Sequence, residues 1–183
     1  VARIDPTPNS PTPHQAPQCI QPTIPAGGWP TRPLFADHGA NRAPQDNWNG
    51  RVIDVGSTAE AVLTVSQGDS AQALSLSVDD SFPAVFATSR MIALMELAAA
   101  RLMKPLLQQG QLSVGVSVHV RHTAATPVGC RVRAVATYLG PDGKLSRFKV
   151  EAYDEAGLIG DGEHTRAVVA TERLIAGAEK RRQ

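Results

Sequence analysis

Thr88 to Leu107 reads TSRMIALMELAAARLMKPLL, and the placement of one acid within it decides how the rest of the chain must fold. At 3.6 residues per turn, Glu96 falls on a stripe with Ser89, Ile92, Ala93, Ala99, Ala100, Met103 and Leu107, all apolar except Ser89. The basic residues Arg90, Arg101 and Lys104 occupy a different flank, outside the i,i+4 reach of Glu96. A carboxylate alone on an apolar stripe costs several kcal/mol or shifts its pKa unless a partner meets it. Such a helix needs a cover on most of its sides, and the cover should carry the partner.

The chain supplies one. Downstream, Leu112–Thr123, Arg131–Leu139, a segment centred on Phe148, Val150 and Ala152, and Leu158–Ala170 all read as strands, separated by turn signals at Pro127-Val128-Gly129, Gly140-Pro141-Asp142-Gly143 and Asp154-Glu155-Ala156-Gly157. Upstream, Ala59–Ser66 and Ala73–Val78 have strand character, the second by alternation of Leu74, Leu76 and Val78 with Ser75, Ser77 and Asp79. Thr88 or Ser89 would cap the long helix, Gly110 would follow its end, and Glu172–Arg181 would form a short C-terminal helix. The expected architecture is α+β: an antiparallel sheet of about five strands wrapped around one long central helix.

Residues 1–50 differ in kind. They hold ten of the chain's 14 prolines and no hydrophobic period, which predicts a disordered, polyproline II-like segment ahead of a single domain at 51–183. Trp29 and Trp48 would anchor it if it were instead a docking arm. The chain begins with Val1, and the expectation is that the tail is a processing or start-site artefact. A formal net charge of +1 gives no electrostatic case for nucleic acid or an anionic membrane. No apolar run approaches the roughly 18 residues of a membrane span, and no signal-peptide h-region is visible. Cys19 and Cys130 have no CxxC spacing, which argues against a disulfide framework or a zinc site, and the five histidines make no ligand motif. The expectation is a cytoplasmic protein without a metal.

Strand parity selects the reactive groups. His122 is in phase with Val114, Val116, Val118 and Val120, so it points inward, whereas His119 shares the outer face with Ser117 and Arg121. An inward histidine alone reads as a core residue bonded to a carbonyl. Together with Glu96 it reads as an acid–base pair in which each group favours the charged form of the other, or as a buried ion pair joining helix to sheet. Thr88, at the helix N-terminus, is placed to cap the helix, to hold a carbonyl, or to act as a nucleophile. Gly115 would let a backbone N–H approach a substrate oxygen.

At these positions the chain resembles the fluoroacetyl-CoA thioesterase family of hot-dog-fold acyl-CoA thioesterases. The resemblance is carried by Phe82-Pro83-Ala84-Val85-Phe86-Ala87-Thr88, Met91-Ile92-Ala93-Leu94-Met95-Glu96, Val120-Arg121-His122-Thr123-Ala124-Ala125 and His164-Thr165-Arg166-Ala167-Val168. It runs from about Gly56 to the C-terminus. It implies a catalytic set of Thr88, Glu96 and His122, with Gly115 at the thioester carbonyl, Phe82 at the lid of the acyl pocket and Arg166 near the site. It further implies a homodimer whose sites are shared across the interface, coenzyme A thioester as substrate, and no cofactor. The chain departs from the family pattern at Asp79-Asp80-Ser81, where an aromatic is usual, and at Ser89-Arg90, where a small residue and an aromatic follow the threonine. Both places would read the acyl group, so the resemblance specifies hydrolysis of a small acyl-CoA and leaves the acyl group open. A non-catalytic acyl-CoA-binding protein and an enoyl thioester hydratase are the alternatives on the same fold.

Overall fold

The computed structural model describes residues 52–182, so the Pro-rich tail lies outside the described residues. The elements run β1 (Thr58–Thr64), α1 (Thr88–Met103), β2 (Gln111–His122), β3 (Arg131–Asp142), β4 (Leu145–Asp154), β5 (Gly157–Ala170) and α2 (Thr171–Glu179). All five strands join one antiparallel sheet in the order β1-β3-β4-β5-β2. The sheet carries α1 on one face, and the helix lies mainly across β1 and β3.

Side-chain size explains that seat. Along β3 and β4, Val132, Ala134, Ala136 and Tyr138 and then Ser146, Phe148, Val150 and Ala152 are buried, alternating with residues that face outward. The register sets Ala134 opposite Ala152 and Ala136 opposite Val150, and β1 adds the buried Ala61. Small residues on the sheet meet Ala98 and Ala99 of the helix in one core cluster, so two backbones approach closely while Met91, Met95, Met103, Phe86 and Phe148 fill the ends.

Four expectations change. Ala73–Val78 is not a strand: Ala71–Leu74 forms a 3-10 turn, and Leu76 and Val78 are fully exposed. The Asp80 carboxylate accepts the N–H groups of Leu76 at 2.7 Å and Ser77 at 2.9 Å, giving the backbone a local alternative to a sheet ladder. The helix ends at Met103 rather than Leu107, because Pro105 has no N–H to continue it, and Lys104–Leu106 tightens to 3-10 geometry. The buried stripe of α1 is Met91, Leu94, Met95, Ala98, Ala99 and Met103. Glu96 sits at its edge, beside the exposed Ala93 and Leu97. Cys130, buried at the head of β3, is not a free thiol, contrary to the expectation from cysteine spacing; Cys19 lies outside the described residues.

Candidate active site

The start of α1 is built by its flanks. Ala87 N–H donates to the Asp69 carbonyl at 2.9 Å and Phe86 N–H to the Thr126 carbonyl at 2.8 Å, which ties the first turn to the segment that follows β2. Ala87 occupies the N-cap position and no side chain caps the helix, so Thr88 is the first helical residue and its hydroxyl is left for another use. That hydroxyl lies 2.9 Å from His122 Nδ1 at the end of β2. The ring edge of His122 packs on Phe86, with centroids 6.4 Å apart. Its Nε2 is buried and has no hydrogen-bond partner among the described residues. Desolvation lowers the His122 pKa, and the Ala124 carbonyl pulls the other way. The imidazole is therefore held neutral near pH 7, the state in which one ring nitrogen can accept a proton. The sequence argument had His122 pushed toward its charged form by Glu96; in the single chain its neighbour is Thr88.

Glu96 belongs to a second cluster. Its Oε1 lies 3.8 Å from His164 Nε2 and 3.9 Å from Arg166 Nη1, with the side chain 38% exposed. Gly115 lies directly beneath: a Cβ there would run into Glu96 Oε1 and would come within 3.1 Å of His164 Cε1. Arg166 is buried and donates from Nη2 to the Ser113 carbonyl at 2.7 Å, from Nε to Ser113 Oγ at 3.2 Å, and from Nη1 to the Glu96 carbonyl at 3.3 Å. Burial lowers the Arg166 pKa from its ordinary value, and the charge of Glu96 opposes the shift.

A bulge brings this cluster together. The β2–β5 register slips between Gly115 and Ser117, leaving Val116 54% exposed. Before the slip Ser113 and Gly115 share the face of Val168 and Arg166; after it Val118, Val120 and His122 share the face of His164. Counting parity along an unbroken strand put Val114 and Val116 inward and Gly115 outward, and both assignments are corrected. The glycine inside the strand was the available signal. His122 keeps its inward direction because it lies beyond the bulge. Phe82 lies ahead of α1 and is 49% exposed.

Two further groups escaped the sequence argument. His164 is 1% exposed and completes the Glu96 cluster, and its i,i+2 spacing from Arg166 on a strand would have found it. Arg90 turns to Asp69, donating from Nε at 2.8 Å, and with the Ser66 hydrogen bonds it holds the Asp69 carboxyl below the usual carboxylate range. Among the described residues no group of three or more His, Cys, Asp or Glu side chains is placed to hold a metal ion. A groove of about 630 Å³ between the end of β5 and α2, lined by Val168, Arg173, Leu174 and Arg181, contains none of the groups above. It offers no base or nucleophile, so the chemistry is assigned to the clusters.

Comparison with known proteins follows the same lines. The family model described as fluoroacetyl-CoA-specific thioesterase matches residues 65–172. The fluoroacetyl-CoA thioesterase of Streptantibioticus cattleyicolor is 43% identical over 95 residues, which is 52% of this chain and 68% of that protein. A solved structure of a threonine-to-alanine mutant of fluoroacetyl-CoA thioesterase, in complex with fluoroacetate, is 34% identical and superposes with a TM-score of 0.67 over 70% of this chain and 98% of that one. A Thermus thermophilus hypothetical protein described as a thioesterase superfamily member is 29% identical with a TM-score of 0.64, over 71% and 93% of the two chains. The curled five-stranded sheet with one helix packed against it is the hot-dog fold of these proteins, and the relatives named thioesterases make the chain a thioester hydrolase. Since the family model covers more than half of its length, the chain belongs to the fluoroacetyl-CoA-specific thioesterase family.

Proposed function

We propose that the protein hydrolyses a small acyl-CoA thioester to free acid and coenzyme A at a site assembled from two protomers. One observation carries the reading. Thr88 with His122, and Glu96 with Gly115, form two separate clusters on one chain. Eight residues of helix separate Thr88 from Glu96, about 12 Å of rise. Groups acting on a single carbonyl must lie within roughly 3 Å of the atoms they serve, so one chain alone cannot direct both clusters at one thioester. A two-fold partner whose helix runs antipodally to α1 resolves this by bringing the partner's Glu96 and the partner's Gly115 toward Thr88 and His122. The surface required for it is present: Ala93, Leu97, Val116 and Phe82 flank Glu96 or precede α1 as exposed apolar residues.

In this reading the thioester carbonyl is polarised by the first-turn N–H groups of α1 and the backbone at the partner's Gly115. Thr88 attacks the carbonyl carbon as its hydroxyl proton passes to His122 Nδ1. The tetrahedral intermediate collapses with loss of the coenzyme A thiolate, which takes that proton from His122. Water, deprotonated by His122 with the partner's Glu96 alongside, then attacks the Thr88 ester, and the departing Thr88 oxygen takes that proton back from His122 as the acid is released. Only water is consumed and no atom changes oxidation state, so the route calls for no redox cofactor, and Thr88 with His122 supplies the nucleophile without a metal-bound water. Phe82 closes over the acyl group and Arg166 steadies Glu96. The residues that replace the family's aromatics are engaged elsewhere, Asp80 with the backbone of Leu76 and Ser77 and Arg90 with Asp69, which favours a small acyl group other than one read by aromatic contacts. Coenzyme A thioesters are made and used inside cells, which favours a cytoplasmic site of action.

Thiol release from a panel of short acyl-CoAs tests the reading. Wild type is expected to release thiol from at least one of them, and Glu96→Gln to lose on the order of 10²–10⁴-fold in kcat. Tight binding of the panel with no thiol release would instead describe an acyl-CoA-binding protein.

A further inference from the structure

We infer that His164 is a positioning residue that must stay uncharged: through Arg166 it fixes the Glu96 carboxylate over Gly115, and protonation of its ring draws that carboxylate off Gly115 into an ion pair with the imidazolium. The inference rests on the proposed role of Glu96 and adds to it a group outside the Thr88, Glu96 and His122 set.

Hydrogen-bond polarity determines the state of the ring. Nδ1 lies 2.8 Å from the Ser117 carbonyl, which can only accept, so Nδ1 carries the hydrogen. Nε2 lies 3.1 Å from Arg166 Nη1, and a guanidinium can only donate, so Nε2 is the acceptor. Both nitrogens are committed in one neutral tautomer, and a second proton on Nε2 would face the guanidinium directly. The Ser117 carbonyl comes from the residue just past the β2 bulge, so the irregularity that turns Gly115 inward also sets the tautomer. Arg166 Nη1 in turn lies 3.3 Å from the Glu96 carbonyl and 3.9 Å from its carboxylate. A proton on Nε2 removes the acceptor that Arg166 Nη1 uses and turns the ring, 3.8 Å from Glu96 Oε1, into a second cation competing for the carboxylate.

The surroundings of the ring are simple enough to test. From α1 it faces Glu96, and on β5 it faces Arg166. β4 presents the Phe148 ring at 6.3 Å, and β2 presents Gly115 and the Ser117 carbonyl, with His119 and Arg121 on the opposite face of that strand. Burial first, and Arg166 after it, lowers the His164 pKa, while the Ser117 hydrogen bond and Glu96 oppose the shift. His122 is lowered as well, so two groups should control the acid limb of activity.

The experiment is the pH dependence of kcat and KM from pH 5 to 8, with the best-hydrolysed short acyl-CoA, for wild type, His164→Gln, His164→Leu and Glu96→Gln. His164→Leu removes the acceptor, and kcat is expected to fall about 10–100-fold with KM changed by less than about threefold. His164→Gln offers an uncharged amide oxygen to Arg166, and kcat at pH 8 should recover to within about fivefold of wild type. Its acid limb should approach a slope of one proton where wild type approaches two. Should His164→Leu fail to fold, the acid limb of His164→Gln decides alone. An acid limb in His164→Gln identical to that of wild type, or a His164→Leu enzyme with wild-type kcat throughout, overturns the inference. A fully active Glu96→Gln would remove the proposed function itself, and an inactive one beside unaltered His164 variants would remove this inference only.

Discussion

At the scale of single residues, the two clusters depend on one absent side chain and two uncharged rings. Gly115→Ala would drive a methyl group into the space of Glu96 Oε1. The carboxylate is the far end of a flexible side chain, so it swings away at little cost in stability and leaves its place over the backbone. The expected outcome is a melting temperature within a few degrees of wild type and a loss of roughly 10–100-fold in kcat; thermal denaturation beside steady-state kinetics checks both halves. The histidines make a separate prediction about stability. His122 and His164 are both held below the usual histidine value by burial. Above about pH 6.5 both states are neutral there and the contribution is whole. As pH falls below about 6.5 the unfolded chain takes protons first, so stability declines toward the folded pKa values and then levels off. The urea midpoint should therefore drop between pH 7.5 and pH 5, and His164→Gln should flatten part of that drop. Asp69, whose carboxyl is lowered by the Ser66 and Arg90 hydrogen bonds, loses its contribution only below the ordinary carboxylate range near pH 4, outside this window.

At the scale of elements, the junction of β5 with β2 is the most exacting piece of packing. A Cβ on Gly162 would meet the His119 carbonyl and would lie 2.7 Å from Val120 Cα, both on the neighbouring backbone. Neither atom can move without opening the sheet, so Gly162→Ala should cost roughly 2–3 kcal/mol, read as a lower urea midpoint. Gly143, at a positive φ of 62° in the β3–β4 turn, has open space around it, and there only the backbone conformation favours glycine. These elements also show what a sequence can convey. Phe148, Val150 and Ala152 alternate against Lys149, Glu151 and Tyr153 without interruption, and β4 follows that pattern residue by residue. In β2 the alternation of four valines is just as regular, yet the bulge at Val116 inverts it, since a register slip is set by the partner strand. Leu74, Leu76 and Val78 alternate too, but the Asp80 carboxylate takes the N–H groups that a ladder would need. The Thr88, Glu96 and His122 set came from helix phase, strand parity and resemblance together. His164 was legible in the sequence only as the same-face neighbour of Arg166; its role lies in what its two nitrogens touch, which only the folded β5 reveals.

For the whole molecule, the proposed function turns on the separation of the two clusters along α1. One chain holds Thr88 and His122 at one end of the helix and Glu96 over Gly115 two turns away, which on the proposed function are two half-sites. The solitary acid of the sequence is met within its own chain by His164 and Arg166, and the proposed dimer gives it work in the partner's site. Leu97 and Val116 lie exposed near the Glu96 cluster, so charge placed there should separate association from folding. Leu97→Glu is expected to shift the protein toward monomer by light scattering, to keep its circular dichroism spectrum, and to lose hydrolysis in proportion to the dimer lost. The most direct measurement mixes two dead chains. Glu96→Gln and His122→Ala are each expected to be inactive alone. In a mixed dimer, one site draws an intact Thr88 and His122 from the first chain and an intact Glu96 from the second, while the other site carries both lesions. Co-expression at equal levels should restore about one quarter of wild-type thiol release, from one good site in half of the dimers. Activity that stays at the level of the single variants in the mixture would contradict the shared site and place all three residues in the service of one chain.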